Sequence, residues 1–234
     1  MLDCARRLPP DPPDACPAML LALDTATDNA SIALHDGAQV WAEISWRSRR
    51  RHTVELAPQV DALLRLAGAA PGDLTALAVS IGPGSYAGTR VGLSFAKGLV
   101  AALSLPLLGI PSLDILAYAH PHPTLPLVAL IAAGRGRYNW ALYAPAAALP
   151  QRQSAWGLDA LPALLARCTP PLRFVGDLDA AAAAQIQAWD AAATLIPPGL
   201  GLRRAGVLAE LAWQRRRRGE RDDPILLEPI YLTT

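Results

Sequence analysis

Two polar segments in the first half of the sequence carry residue types that bind phosphate or metal ions. Asp24-Thr25-Ala26-Thr27 follows an apolar run, and a carboxylate there can hold Mg²⁺ through water while hydroxyls and turn amides hold phosphate. Residues 81–90 (IGPGSYAGTR) join an apolar run to a helical pattern, so unpaired N–H groups near Gly82 and Gly84 could also bind phosphate. Both segments would serve equally as ordinary tight turns, and the sequence leaves the two interpretations open.

The segment 81–90 lacks the lysine of a P-loop but fits a loose dinucleotide-binding pattern through Gly82, Gly84 and Ala87. That pattern normally opens a sheet, whereas three strand-like segments precede it here, so dinucleotide binding is kept only as an alternative. Ser85 is predicted to cap the following helix. The four histidines and three cysteines have neither nucleophile nor metal-ligand spacing, so we predict no catalytic residue and no metal site.

Small residues recur at every fourth position along the helix that follows this turn. We call them the small-residue ridge: Gly84, Gly88, Gly92 and Ala96. A helix face without side chains lets another backbone approach closely. Since a glycine inside a helix costs up to ~1 kcal/mol relative to alanine, the repetition indicates a packing role. The spacing fits contact with a second protein and contact with the chain's own sheet equally well.

Hydrophobic patterning predicts the elements that position these segments. Residues 19–25, 29–35 and 38–46 read as three antiparallel strands, with Asp36-Gly37 as a hairpin turn. Apolar spacing then predicts helices over about 53–67, 86–103 and 112–119, and strands over 75–81 and 106–110. The order β-β-β-α-β-α-β places the last two strands parallel to each other beside the antiparallel three.

The second half has a weaker pattern that resembles a degenerate copy of the first. It predicts strands over 125–133, 137–144 and 172–176, helices over 161–167, 177–189 and 201–217, and an extended end. Residues 1–18 are rich in proline and are predicted to be a disordered leader, with the functional chain starting at Met19.

Composition excludes several classes of protein. The 234 residues are 52% hydrophobic and 18% charged, which argues against a disordered chain. The 21 basic and 20 acidic residues nearly balance, so binding to a polyanion must be local. Arginines clustered at 47–51 and 215–218 indicate either solvated helix ends or a patch for RNA or an acidic partner. Sparse cysteines favour a cytoplasmic location, and Lys97 and Pro106 interrupt the most apolar stretch, so no membrane span is predicted.

Residues 19–110 resemble the TsaB family, the non-catalytic subunits of the bacterial machinery that makes N6-threonylcarbamoyladenosine in tRNA. The resemblance rests on LLALDTATDNASIAL, on Arg51-His52-Thr53, on IGPGSYAGTRVGLSFAKGLVAAL and on PLLGIPSLDILA. It implies an α/β fold of the actin-like, sugar-kinase type (ribonuclease-H-like), duplicated into two lobes with mixed sheets. The implied lobes are 19–110, with helix 201–217 packed back on it, and 111–200, followed by an extended tail over 218–234.

The resemblance also implies a scaffold subunit rather than an enzyme. Such a subunit binds a TsaD-type threonylcarbamoyltransferase through its first two helices, is joined by a TsaE-type ATPase, and reaches tRNA only through the complex. A homodimer in isolation, and ATP or ADP at the subunit interface, are left open; no other cofactor is expected. The residues implied at the partner interface are the ridge together with His52, Leu56, Tyr86, Thr89 and Arg90.

The sequence departs from the family pattern in two of the segments that matter most. Tyr86-Ala87-Gly88-Thr89-Arg90 stands where the family usually has Phe-Thr-Gly-Leu-Arg. Residues 132–137 (AAGRGR) stand where it often has Asp-Ala-Arg-Arg-Gly-Glu, so two carboxylates are replaced. An ATP-dependent small-molecule kinase or ATPase of the same fold remains the alternative, with Asp24, Thr25, Thr27, Gly82 and Gly84 as its phosphate-binding residues.

Overall fold

The computed structural model describes residues 18–146 and 151–233. The predicted leader therefore lies outside the described residues, apart from Ala18. The strands are β1 Met19–Asp24, β2 Asn29–His35, β3 Val40–Arg47, β4 Leu74–Ser80, β5 Leu107–Ile110, β6 Leu127–Gly134, β7 Arg137–Tyr143, β8 Gly157–Ala160, β9 Arg173–Gly176 and β10 Thr194–Leu195. The helices are α1 His52–Leu66, α2 Tyr86–Leu103, α3 Ser112–Tyr118, α4 Leu161–Leu165, α5 Ala180–Trp189 and α6 Ala205–Arg217.

The first sheet has the strand order β3-β2-β1-β4-β5. Strands β1, β2 and β3 pair antiparallel, and β4 and β5 continue the sheet in parallel with β1. This confirms the predicted antiparallel meander followed by two parallel strands. Right-handed strand–helix–strand crossovers require such a parallel extension, which is why the order of elements was sufficient to predict it.

Strand β1 lies at the centre of the first sheet and is buried along its whole length. Its alternate residues face opposite layers, since side chains alternate across a strand. Leu21 and Leu23 pack in the core that includes buried residues of α1 and α2, while Leu20 and Ala22 pack against α6. The end of β1 is therefore enclosed by helices on both faces of the sheet.

The second sheet has the order β10-β9-β6-β7-β8, with β6 and β7 forming the predicted hairpin. Strands β8 and β10 were not predicted, because they are four and two residues long and lack apolar alternation. Helix α5 begins at Ala180 rather than 177, where the carboxylate of Asp179 accepts a hydrogen bond from the N–H of Ala182 at 2.8 Å. Helix α6 begins at Ala205 rather than at 201.

The C-terminal tail runs along the free edge of β5. The N–H of Asp222 donates to the carbonyl of Leu107 at 2.9 Å, and its carboxylate accepts the N–H of Gly109 at 2.7 Å. Arg215 of α6 holds the same carboxylate with two guanidinium nitrogens at 3.0 Å each. The tail thus shields backbone groups that an edge strand would otherwise expose. In the part of the chain that the structure describes, no helix is both long and apolar enough to cross a membrane.

Candidate functional site

The end of β1 places Asp24 in the interior beside an arginine from the loop before α6. The side chains of Asp24 and Arg203 are 1% and 3% exposed, and Arg203 Nε donates to Asp24 Oδ2 at 2.9 Å. The other carboxylate oxygen accepts the N–H of Ala26 at 2.8 Å. A buried carboxylate requires such compensation because transfer of a charge out of water is costly. Asp24, predicted from the sequence to bind phosphate or Mg²⁺, is therefore already neutralised within the chain.

Arg203 is a residue that the sequence analysis missed. It follows Asp24 by 179 positions, so no local signal in the sequence could pair the two residues. The predicted start of α6 at 201 also placed it inside a helix. In the structure it lies in the connection ahead of α6, and its guanidinium also donates to the hydroxyl of Thr27 at 2.5 Å.

The remaining residues predicted to bind phosphate are divided between the interior and a cleft. Thr25 is buried, and its hydroxyl donates to the carbonyl of Gly88 at 2.7 Å. Gly82 is buried beneath the C-terminal tail, where a Cβ would lie 3.0 Å from the Ile230 carbonyl oxygen. Thr27 and Gly84 line a cleft of about 840 Å³ between the first lobe and the end of β6. The structure therefore does not bring the five predicted residues together around one accessible site.

The small-residue ridge faces inward, which corrects the interpretation that it is a docking surface. A Cβ built on Gly84 would lie 2.3 Å from the Ala26 carbonyl oxygen, and one on Gly88 would lie 2.2 Å from the Thr25 carbonyl oxygen. A Cβ on Gly92 would meet Thr25 Oγ1 at 2.3 Å, and Ala96 is fully buried. A Cβ on Gly84 or Gly88 would overlap the backbone after β1, and one on Gly92 would overlap the Thr25 side chain. Of the two alternatives that the spacing left open, the structure therefore adopts the one in which the ridge packs against the chain itself.

Three further residues assigned to the partner interface are also buried. His52, Leu56 and Thr89 are 5%, 1% and 1% exposed, so they cannot be reached by a second protein without rearrangement. Tyr86 and Arg90 are exposed, and they stack on the C-terminal tail. The Arg90 guanidinium lies 4.3 Å from the Tyr86 ring centre, and its Nε donates to the Tyr231 hydroxyl at 3.0 Å. Ser85 caps α2 as predicted, because its Oγ accepts the N–H of Gly88 at 3.2 Å.

A different surface of the same two helices is open to a partner. We call it the outer face. Its exposed small or apolar residues are Val54, Ala57, Pro58 and Leu66 on α1, and Ala87, Ser94, Gly98, Ala101 and Ala102 on α2. Helix α1 also exposes Thr53 and the Asp61–Arg65 ion pair. Val54 and Leu66 are 60% and 71% exposed, and a Cβ on Gly98 would meet no atom within 4 Å. The outer face combines exposed apolar area with the small side chains that allow close helix approach.

Burial of His52 predicts a dependence of stability on pH. Loss of hydration lowers the pKa of its imidazole below 6.5, and the nearby Asp28 and Glu55 carboxylates offset this only in part. The unfolded chain therefore binds a proton more readily, so this contribution to stability is present above about pH 6.5 and is lost as the pH falls. We expect His52→Gln to flatten the profile of unfolding free energy between about pH 5 and 7, measured by urea titration. Parallel profiles for the variant and the wild type would contradict this.

Among the described residues, no group of three or more histidine, cysteine, aspartate or glutamate side chains could hold a metal ion.

Comparison with known proteins finds two related groups. The family described as TsaD: tRNA N6-adenosine threonylcarbamoyltransferase matches residues 42–149. The tRNA threonylcarbamoyladenosine biosynthesis protein TsaB of Escherichia coli (strain K12) is 35% identical over 126 residues, which cover 53% of this chain and 54% of that protein. The tRNA N6-adenosine threonylcarbamoyltransferase of Nitratidesulfovibrio vulgaris (strain DP4) is 34% identical over 107 residues, 39% of this chain and 30% of that protein. The chain spans about half the length of the curated TsaB relatives that it matches.

Solved structures extend the likeness to nearly the whole chain. YeaZ from Pseudomonas aeruginosa has a TM-score of 0.74 at 24% identity, covering 92% of this chain and 100% of that one. The ethanolamine utilization protein EutJ from Carboxydothermus hydrogenoformans has a TM-score of 0.51 at 15% identity, covering 88% and 92%. At these identities the likeness establishes the fold. The predicted actin-like, two-lobed α/β fold is therefore confirmed.

Proposed function

We propose that this chain, a member of the TsaB family, is a non-catalytic scaffold subunit for N6-threonylcarbamoyladenosine modification of tRNA adenosine 37. In this role it binds a TsaD-type threonylcarbamoyltransferase and supports the active form of that enzyme. The curated relatives named TsaB are described as biosynthesis proteins of this modification, while other relatives are described as the transferase itself.

The observation that carries this proposal is the outer face of α1 and α2. Its exposed apolar residues include Val54 and Leu66, and Gly98 leaves open space where a neighbouring backbone could approach. A stable interface needs an apolar centre with close packing, and small residues on paired helices satisfy both requirements. The interface that we propose therefore lies on the side of α1 and α2 opposite to the small-residue ridge.

Homology between the two subunits supports the same arrangement. The transferase family matches residues 42–149, which contain both α1 and α2. Proteins that share a fold can pair through equivalent helices around a pseudo-twofold axis, as identical subunits do around a true one. For the same reason a homodimer of this chain, in the absence of its partner, remains a prediction, as does a TsaE-type ATPase partner.

The alternative of an ATP-dependent kinase or ATPase would require Asp24 to serve the nucleotide's metal ion. Both oxygens of that carboxylate already accept hydrogen bonds, from Ala26 and from Arg203. A metal ion could bind this carboxylate only by replacing these hydrogen bonds and breaking the buried Asp24–Arg203 ion pair. The contacts of Asp24 therefore count against the kinase and support the scaffold. ATP turnover by the isolated chain that is abolished by Asp24→Asn would favour the kinase instead.

Gly98→Trp tests the outer face directly. Because a Cβ at this position meets no atom, the variant should fold normally while its indole ring prevents close helix approach. We expect its affinity for the TsaD-type subunit of the same host to fall by about tenfold to a hundredfold, or about 1.4–2.8 kcal/mol. Isothermal titration calorimetry measures the affinity, and circular dichroism checks the fold.

Ala184→Trp provides the matched control, since Ala184 is an exposed helical residue on α5 of the other lobe. It should bind the partner as the wild type does. Equal binding by Gly98→Trp and the wild type would show that α2 does not contact the partner through the outer face.

A further inference from the structure

Four exposed arginines lie within five residues of the connection from β3 to α1. We call residues 47–51 the arginine loop; its members are Arg47, Arg49, Arg50 and Arg51 around the buried Ser48. Within residues 18–146 and 151–233, only Arg51 among these has a carboxylate partner, Glu55 at 3.5 Å. The loop therefore presents guanidinium groups whose charge is not neutralised by the described part of the chain.

The backbone of the arginine loop is held in a conformation that L-residues rarely adopt. Arg49 and Arg50 have φ values of 48° and 68°, in the left-handed region that favours glycine. Each such residue costs on the order of 1 kcal/mol and persists only where surrounding contacts impose it. Ser48 imposes it here, since its N–H donates to the Asp28 carbonyl at 2.7 Å and its Oγ accepts the N–H of Arg51 at 3.1 Å. Glycine would adopt these φ values without strain. Arginine at both positions therefore indicates that the guanidinium side chains have a role of their own.

The arginine loop forms one lip of the cleft described above. Arg47 and Arg50 line the cleft on the first lobe, and Gly134 lines it from the hairpin between β6 and β7. The next residue of that hairpin, Arg135, is exposed with φ of 54°. Two arginines of the loop therefore line one side of the groove, and Arg135 directly follows a residue that lines the other side.

The groove also contains acidic groups and an aromatic side chain. Asp28 and Asp177 also line it, and the Asp177 carboxylate accepts the N–H of Ala132 at 3.2 Å. Tyr86, which is 57% exposed, contributes an aromatic ring to the same wall. Two arginines, Arg47 and Arg50, thus line the groove beside these two carboxylates. With Arg49, Arg51 and Arg135, which adjoin lining residues, five exposed arginines lie in or beside the groove.

We propose that the arginine loop, together with Arg135 across the groove, binds the phosphate backbone of tRNA. This deepens the proposed function and rests on it, and it replaces the expectation that tRNA is reached only through the complex. Guanidinium groups bind phosphate in a bidentate manner, and several in one loop match a polyanion with regularly spaced charges. An acidic protein partner would also need an apolar centre, whereas residues 47–51 (RSRRR) are all polar.

The test compares two triple variants that remove the same charge. The loop variant carries Arg47→Gln, Arg49→Gln and Arg50→Gln, and leaves Arg51 paired with Glu55. The control variant carries substitutions at exposed arginines outside α1 and α2: Arg152→Gln, Arg167→Gln and Arg221→Gln. Binding of a fluorescently labelled tRNA transcript is measured for the full chain alone and for its complex with the TsaD-type subunit, between about 50 and 200 mM salt. Size-exclusion chromatography without RNA records whether each complex forms.

We expect the loop variant to bind tRNA about tenfold or more weakly, while the control stays near the wild type. The slope of log affinity against log salt should become shallower by about 2–3, since each lost phosphate contact removes about 0.7–0.9. An equal loss of tRNA affinity in both variants, or no loss in either, would overturn the inference. If the complex with the TsaD-type subunit still forms normally, that result leaves the proposed function intact.

Other outcomes are also decisive. If only the loop variant fails to form the complex, the loop is a protein interface and the inference is wrong. If the wild-type complex does not form, the proposed function fails. The inference is then judged on the chain alone, where tRNA binding that depends on the loop supports it and binding that does not overturns it.

Discussion

Replacing Arg203 by methionine is expected to lower the free energy of unfolding by about 3–5 kcal/mol. The substitution removes the guanidinium while keeping an unbranched apolar side chain, so the carboxylate of Asp24 is left charged in a site where its side chain is 1% exposed. The cost is therefore mainly that of an uncompensated buried charge. Urea denaturation followed by circular dichroism at neutral pH measures it.

An ion pair that is exposed on both sides provides the control. The side chains of Arg65 and Asp61 are 73% and 62% exposed. Arg65→Met should therefore cost only about 0–1 kcal/mol, because water replaces the lost partner. Adding Asp24→Asn to Arg203→Met should recover a large part of the loss, since the unpaired charge is gone. Similar costs for Arg203→Met and Arg65→Met would contradict the burial of the Asp24–Arg203 pair.

A second large effect is expected from two glycines on the same helix. Gly88→Ala should destabilise the protein by about 3 kcal/mol or more, because the new Cβ would lie 2.2 Å from the Thr25 carbonyl oxygen. Neither atom belongs to a flexible side chain, so relief requires a shift of α2 away from β1. Gly98→Ala should instead stabilise the protein by about 0.5–1 kcal/mol, since its Cβ enters open space and alanine favours the helix.

The two alanine variants differ only in which side of α2 they modify. Thermal and urea unfolding of both, beside the wild type, measure the difference directly. If Gly88→Ala is as stable as Gly98→Ala, the small-residue ridge does not pack on the turn after β1. The comparison also separates a failure to fold from a failure to bind, which any test of partner binding on α2 must do.

Most of the first lobe could be predicted from the sequence because its elements are long and strongly periodic. The patterns for β2 and α2 predicted their bounds as the structure has them, and the order of elements was enough to predict the sheet topology. In the second lobe, β8 and β10 were missed because two to four residues at a sheet edge carry no period.

The candidate site depended far more on the tertiary structure. Spacing established that Gly84, Gly88 and Gly92 form one bare face of a helix, and in the structure that face packs on Thr25 and Ala26. Periodicity specifies which residues share a face but not which face meets the core, when both faces are made of small residues.

By itself, the sequence determined the fold, the family resemblance and the positions of the turns, because these follow from local patterns of apolar and turn-forming residues. Only the folded chain decided that Asp24 is paired with Arg203, that the ridge is internal, and that the arginine loop faces the hairpin of the other lobe. The residues that form these contacts are far apart in the chain, 63 positions for Thr25 and Gly88 and 179 for Asp24 and Arg203. Such pairs leave no periodic trace in a single sequence, so they appear only in the folded chain.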